Sequence, residues 1–421
     1  MRRLLLALAT FGAVATPARA QTPPVATVTF EEAIARAIER NPTVARAATA
    51  IARAEALLDQ ARALTRPNVS LRFATVTLDR GVSFDDADVI PRNQSTLSAT
   101  ASVPLYAPAR WARVVQARAQ IDVASASAAE VRRQIGVAAA EAYLAVIAAR
   151  RQLEVDERSL ETARAHLDYA RRRLEGGVGS RLNMLRAAQE VAVDESRLEA
   201  AGLALRQAQE ALGVLLAEGS PVDAGPEPGF DVPSVIDEAA WMAARPDLVT
   251  QGAIIRAAER VVRDSWKDVA PLATLAFDPQ VVTPAGLFQP SRTWRLTLEV
   301  TQPIFQGGLQ RAVSRERRVT LDASKIALTD LEIQARSEVR LAQVAVTSYT
   351  RALDSARRAA GQANEVLTIT TTAFEVGATT NIEVIDAQRS ARDADTAATL
   401  SADALRRARL HLLVALGRFP G

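Results

Sequence analysis

The stretch Val146–Leu174, VIAARRQLEVDERSLETARAHLDYARRRL, carries an apolar residue at every seventh position. These positions are Val146, Leu153, Leu160, Leu167 and Leu174. A strict period of seven keeps one seam against a partner only when helices supercoil in the left-handed sense. No proline interrupts the chain from Ala109 to Leu174, and at about 1.5 Å per residue this helix would be roughly 100 Å long. Such a helix needs partners along its length. On the heptads alone an ordinary helical bundle remains an alternative, but a tube of helices fits the length better.

The chain contains this pattern twice, which predicts an internal duplication. Asn41-Pro42 matches Arg245-Pro246 at an offset of 204, and the heptad of Val146 returns at an offset of 200, beginning at Val346. A second heptad series starts at Met184 and has its counterpart at Val384. Each copy is predicted to run helix, strand, strand, helix, turn, helix. We expect a first repeat at 21–217, a linker rich in Pro, Gly and Asp at 218–235, and a second repeat at 236–421.

Four segments are predicted to be strands about as long as a bilayer crossing requires, roughly 9–11 residues. Thr96–Leu105 and Thr293–Thr301 alternate cleanly between apolar and polar residues, and Asn68–Leu78 and Leu272–Val282 alternate less regularly. Arg295 and Glu299 fall on the polar face, so we expect them to line a water-filled lumen. Four strands cannot close a barrel wide enough for a channel, so several chains must share one.

Other segments indicate where the protein acts. Residues 1–20, with Arg2, Arg3, an apolar run and Ala18-Arg19-Ala20, are typical of a cleaved signal peptide. Without these residues the chain has 48 basic and 48 acidic residues, which gives no basis for nucleic-acid binding. Cysteine is absent, which excludes disulfides and thiolate chemistry. No later run of eighteen apolar residues provides a helical span. The long loop Arg80–Asn93, with Asp85, Asp86 and Asp88, is expected to face the cell exterior.

Five segments carry a resemblance to a known family. They are FEEAIARAIERNPTV (Phe30–Val44), VPLYA (Val103–Ala107), ARPDL (Ala244–Leu248), TQPIFQGG (Thr301–Gly308) and FEVGATTNIEVIDA (Phe374–Ala387). Together they resemble the TolC-like outer-membrane efflux proteins, over nearly the whole chain after residue 20.

The resemblance implies a mainly α-helical chain with a transmembrane β-barrel. Three chains would contribute four strands each to a twelve-stranded barrel, continued by a long periplasmic helical barrel. The homotrimer would sit in outer-membrane lipid and dock on a periplasmic adaptor (membrane fusion) protein and an inner-membrane transporter. It would act as a passive exit duct with no catalytic residues, cofactor or metal. The alternative is a soluble periplasmic coiled-coil scaffold or adaptor, against which the amphipathic strands argue.

Candidate functional residues cluster at the predicted helix–helix turns. Glu383 and Asp386, at spacing i, i+3, share one helix face, and the resemblance implies that they form acidic rings at a narrow pore entrance. The alternative is that they stabilise a helix N-terminus. Gly177 and Gly377 are expected to supply the turns, which the resemblance implies are the adaptor-docking surface.

Phe374 and Thr379 stand where the family often carries a Tyr and an Arg that hold the tip closed. Arg181 or salt bridges elsewhere are the candidates to replace that lock. The only two histidines, His166 and His411, lie far apart on predicted helices and predict no metal site.

Overall fold

The computed structural model describes residues 25–84, 87–233 and 237–419. The predicted signal peptide lies outside the described residues, and so do Asp85 and Asp86. Asp88 belongs to a described strand, Ala87–Ile90.

Both halves of the chain follow the predicted order, with the first helix of each half divided at a proline. The first half comprises β1 (Ala26–Val28), α1 (Phe30–Arg40), α2 (Pro42–Ala63), β2 (Asn68–Thr77), β3 (Val82–Phe84), β4 (Ala87–Ile90), β5 (Asn93–Tyr106), α3 (Pro108–Glu175) and α4 (Arg181–Leu215). The second half comprises β6 (Val222–Ala224), α5 (Glu238–Ala244), α6 (Pro246–Arg263), a 3-10 turn (Ser265–Val269), β7 (Leu272–Thr283), β8 (Arg292–Thr301), α7 (Leu309–Glu375) and α8 (Asn381–Ala415).

The helix breaks at the two prolines occupy equivalent places. Proline lacks the N–H that a helix interior requires but is accepted in a first turn, so one helix ends and the next begins there. Asn41 caps the start of α2, and its side-chain amide donates to the carbonyl of Leu215, 3.0 Å away. Arg245 donates to the carbonyl of Ala415, at 3.3 Å. Each break is therefore fastened to the last turn of its own repeat.

Four strands form one antiparallel sheet in the order β2-β5-β7-β8. The register places Phe277 opposite both Ala101 and Leu296, so the apolar residues of neighbouring strands share one face. Side chains such as Val69 and Trp294 are 74% and 70% exposed on the isolated chain. Within the described residues β2 and β8 pair on one side only, which leaves the sheet open at both edges.

Two connections contain more regular structure than the sequence indicates. The predicted loop Arg80–Asn93 includes the short hairpin β3–β4, in which Val82 pairs with Ile90. The predicted linker includes β6, which pairs in parallel with β1. The linker is thus part of a small sheet at the middle of the molecule, as well as the connection between repeats.

The long helices form a single layer. At about 1.5 Å per residue, α3 with 68 residues and α7 with 67 are each roughly 100 Å long. Helix α3 packs against α2 and α4 on one side and α6 and α8 on the other, and α7 packs against α6 and α8. Across the layer the order is therefore α2/α4, α3, α6/α8, α7. Among the helices of the described residues, none has the length and hydropathy of a membrane-spanning segment.

A belt, formed by α1, β1, β6 and the segment 225–230, covers the middle of the helical layer. Its core joins Phe30 to Tyr143 of α3, with ring centroids 5.4 Å apart, and to Phe230, at 5.5 Å. The Tyr143 hydroxyl donates to the carbonyl of Pro226, 2.9 Å away. Burying these aromatic rings stabilises the contact between the belt and one side of the layer.

Candidate functional site at the helix turns

The two helix–helix turns lie side by side at the end of the helical layer away from the sheet. Gly177 has φ +75° and Gly377 has φ +79°. This left-handed region is open to glycine at little cost, whereas a β-carbon would be strained there. Side chains of both turns line a shared cavity of about 370 Å³, among them Arg186 and the half-buried Thr379.

The predicted acidic pair lies on the first two turns of α8. The Thr380 backbone N–H donates to Glu383 Oε2 at 3.3 Å, which with the Thr380 side chain completes a capping box. Glu383 and Asp386 are both exposed on one face. The contact that Glu383 makes within its own chain is thus the helix-stabilising one. The acidic ring requires other copies of the chain and stays a prediction.

Phe374 is buried at the end of α7 and is surrounded by three side chains of α3. The Phe374 ring lies 5.3 Å from His166 and 5.7 Å from Tyr169, and the Arg173 guanidinium lies 5.6 Å from its centroid. Tyr169 and Arg173 also donate to the carbonyls of Glu375, at 3.2 Å, and Phe374, at 3.4 Å. A Tyr and an Arg therefore do contact the second turn, but they come from the other repeat. Arg181, the substitute that the sequence suggests, is exposed.

His166 links the two repeats at the same level. It is 6% exposed, and its Nε2 lies 2.9 Å from Asn381 Oδ1, at the first residue of α8. Asn381 in turn donates to the carbonyl of Asn183 on α4. Burial lowers the pKa of His166, which keeps the imidazole neutral, and the hydrogen bond to Asn381 opposes that shift only in part.

A buried charge cluster joins α4 to α8 two turns further from the tip. Arg389 donates to Glu190 at 2.6 and 2.9 Å. Arg392 donates to Glu190 at 3.2 Å and to Asp194 at 3.0 Å. The side chains of Glu190, Asp194 and Arg392 are at most 5% exposed. Burial by itself would raise the pKa of Glu190, but the hydrogen bonds and charges of Arg389 and Arg392 outweigh it and hold that pKa below its ordinary value.

The sequence does not single out this cluster. Its acids and its arginines are about 200 residues apart, and each alone resembles an ordinary solvated helix residue. One feature of the sequence does indicate that these charges could be buried: they stand next to heptad positions. Glu190 precedes Val191, and Arg392 follows Ala391. A charged side chain next to an apolar seam faces the neighbouring helix more often than a charge on the opposite side.

The predicted lumen residues lie on the polar face of the sheet. Arg295 and Glu299 are both exposed on β8. The register sets Arg295 opposite Asp278 of β7, which accepts a hydrogen bond from Thr100 at 2.7 Å. Asp278 thus adds a third charge to this face. The sequence did not indicate this role, because the apolar and polar residues of β7 alternate less regularly.

The chain matches the family described as Outer membrane efflux protein over residues 33–218 and 276–418, and it belongs to that family. It is 26% identical over 323 residues to Outer membrane protein OprJ of Pseudomonas aeruginosa, covering 72% of this chain and 67% of OprJ. Among solved structures, it resembles the outer membrane protein VceC from Vibrio cholerae, with a TM-score of 0.77, 18% identity, and coverage of 92% of this chain and 96% of VceC. The Campylobacter jejuni CmeC outer membrane channel gives a TM-score of 0.80 at 14% identity, covering 92% of this chain and 85% of CmeC.

These matches confirm the predicted two-repeat, mainly helical fold and the TolC-like resemblance. The protein is an outer-membrane efflux channel that extends into the periplasm. Family membership also decides against the soluble scaffold that the sequence left open.

Proposed function

We propose that the chain is one protomer of a homotrimeric exit duct that conducts substrates passively. The duct works with a periplasmic adaptor protein and an inner-membrane transporter. The observation that carries the proposal is that the sheet and the helical layer are open at the same two edges.

The matching edges follow from the order of elements along the chain. Strand β2 follows α2, and β8 leads into α7, so the open edge strands continue into the outermost helices of the layer. An unpaired strand edge is a template for another strand. A second copy that sets its β2 against β8 also sets its α2/α4 against α7. Repeating this head-to-tail contact closes a ring, and three copies would give a twelve-stranded barrel of the size a channel needs.

Helix α7 carries a free apolar seam on this edge. Val319, Ile326 and Ile333 recur every seven residues and are 61%, 70% and 58% exposed on the isolated chain. Leu57 of α2 and Leu64, which caps the end of that helix, are again seven residues apart, and each is 47% exposed. Heptad seams of this kind bury themselves against partner helices, and a neighbouring copy supplies the partner.

In a closed ring, each face of the sheet and the far end of the helical layer would have a function. The apolar face of the sheet, with Val69 and Trp294, would meet outer-membrane lipid. Arg295, Glu299 and Asp278 would line the lumen. At the opposite end, the turns at Gly177 and Gly377 would present the adaptor-docking surface, and three copies of Glu383 and Asp386 would surround the entrance.

The test is the mass of the purified assembly. In mild detergent the protein should be a particle of three chains, and the double variant Ile326→Glu, Ile333→Glu should lose it. The control is Val249→Glu, which places one glutamate at an apolar residue that is 46% exposed on α6, a helix that already has neighbours on both sides. A wild-type monomer that keeps its β-sheet signal would overturn the proposal.

A further inference from the structure

A groove opens in the helical layer between α3 and α7, at the level of the belt, with α8 as its floor. Its volume is about 810 Å³, within the range of small-molecule sites. Its lining includes the apolar side chains of Leu341, Tyr349 and Leu400 and the carboxylates of Glu141, Glu338 and Asp403. All of these residues belong to one chain, and α7, which forms one side of the groove, is also the outermost helix of the layer.

The groove faces away from the belt. On α3, Glu141 lines the groove, while Tyr143 points into the belt core. On α8, Ala404 and Ala408 line the groove, while Arg406 binds Glu227 on the belt side at 2.7 Å. Residues two apart on a helix point in nearly opposite directions, about 200° apart. The groove therefore opens on the face that becomes the inner wall when the belt lies outside.

The basic side chains of the groove are already neutralised. Arg245 donates to Asp247 at 2.6 Å and to Glu338 at 2.8 Å. Arg407 donates to Asp403 Oδ2 at 2.7 Å. Arg133 forms two hydrogen bonds to Glu130. Each arginine of the groove thus has at least one carboxylate partner, which reduces the attraction of the groove for an anion.

The carboxylates, by contrast, keep spare acceptors. Asp403 Oδ1 is buried and accepts no hydrogen bond from the described residues. Glu338 is 54% exposed and Glu141, whose partner is His411 at 3.2 Å, is 43% exposed. A buried acceptor without a donor carries a free-energy cost that a ligand N–H removes. The last torsion of an aspartate side chain is broad, so its carboxylate can turn the spare oxygen toward a ligand.

We propose that this groove is a binding site for an organic cation with a flat apolar body, a proposal that rests on the proposed duct. The ammonium or iminium N–H meets Asp403, and the ring system lies on Tyr349 beside Leu400. Contact between a cation and an aromatic face adds to the attraction. The inner surface of the duct then binds cationic substrates about midway along its length, in addition to enclosing the path.

The experiment compares two dyes with related three-ring bodies and opposite charge. Wild-type protein in lipid nanodiscs is titrated into rhodamine 6G, a cation, and into fluorescein, an anion, and fluorescence anisotropy is read against empty nanodiscs. Rhodamine 6G should bind at least about tenfold more tightly than fluorescein. Asp403→Asn should weaken rhodamine binding roughly tenfold, because it removes a hydrogen bond between two charged groups, and a factor of ten corresponds to about 1.4 kcal/mol.

Two further variants keep the result interpretable. Tyr349→Ala, at a side chain that is 42% exposed, removes the aromatic surface of the groove without creating a cavity in the hydrophobic core. It should weaken binding several-fold. Asp322→Asn changes an exposed aspartate nearly 30 Å along α7 and should bind like wild type. Equal binding of both dyes, or equal loss in the Asp322 control, overturns the site. Particle mass and channel conductance are measured on the same sample, so an assembled, conducting protein that fails to bind rhodamine refutes the site and leaves the duct intact.

Discussion

The two copies of the tip share a backbone and differ in side chains. At the offset of 200, Glu383 and Asp386 of α8 correspond to Asn183 and Arg186 of α4. Glu190 and Asp194 of α4 correspond to Ser390 and Ala394. Each copy thus lacks the charges that the other carries.

The preceding long helices diverge in the same way. His166, Tyr169 and Arg173 of α3 correspond to Val366, Ile369 and Ala373 of α7. The polar side chains of α3 pack around Phe374 of the other copy, while Val366 and Ile369 are more than half exposed. Duplication preserved the turn geometry, and the divergence made the two copies complementary to each other instead of identical.

The largest effect is expected from breaking the charge cluster that joins the copies. Arg392→Met leaves Glu190 and Asp194 buried with one fewer positive partner, and such a loss typically costs about 3–5 kcal/mol. Thermal unfolding of the protein in nanodiscs should show a large drop. Arg197→Met, an arginine that is 45% exposed beside the same cluster, is the control and should cost under about 1 kcal/mol.

A compensated variant separates charge from packing. Replacing Glu190 with Gln and Asp194 with Asn alongside Arg392→Met removes the uncompensated charge and should recover much of the lost stability. If Arg392→Met is no worse than Arg197→Met, the cluster does not join the copies.

The next effect concerns the acidic face that only the second copy has. In Glu383→Gln, Asp386→Asn both charges are removed, and the glutamine can still complete the capping box. If three copies surround the entrance, cation selectivity and block by multivalent cations in planar-bilayer recordings should fall by about tenfold or more. Particle mass should not change. Unaltered selectivity would leave helix capping as the role of Glu383.

A smaller effect is expected from pH at the His166 contact. Because burial lowers the pKa of His166, the unfolded chain takes up a proton at a higher pH than the folded one. The stability that depends on neutral His166 is complete above pH about 6.5 and is lost as pH falls from there toward the lowered folded pKa. Thermal unfolding measured from pH 8 to pH 5 should lose part of its acid sensitivity in His166→Gln. His411→Gln, at a side chain that is 55% exposed, should behave like wild type.

The smallest effect is expected when the first copy is given a charge that only the second copy has. Arg186→Asp gives α4 the charge that α8 has at Asp386, next to the cavity between the turns. Cation selectivity should rise by a factor of about two, since a rim charge in water is strongly screened. Unchanged selectivity would indicate that Arg186 faces away from the conducting path.

The regular elements follow from the sequence alone. The predicted strand at Thr293–Thr301 differs from the observed β8 by one residue, and the helix predicted from Ala109 to Leu174 is observed as Pro108–Glu175. These elements are set by local periodicity and by proline and glycine, which act within a few residues. The acidic pair, Gly177, Gly377 and Phe374 stand out for the same reason, since each belongs to a short recognisable segment.

What the sequence left undecided depends on contacts between distant segments. The linker pattern does not predict a strand, because the partner of β6 is β1, near the other end of the repeat. Phe374 and Thr379 stand where the family often carries a Tyr and an Arg, and the sequence offers Arg181 or salt bridges elsewhere as substitutes. The Tyr and the Arg that contact the second turn are Tyr169 and Arg173 of α3, about 200 residues away. The partners of Glu190 and Asp194 are likewise invisible in the sequence. The periodicity of a helix predicts which of its faces is buried. Only the packing of the two copies against each other decides which oppositely charged side chain becomes the partner of a buried charge.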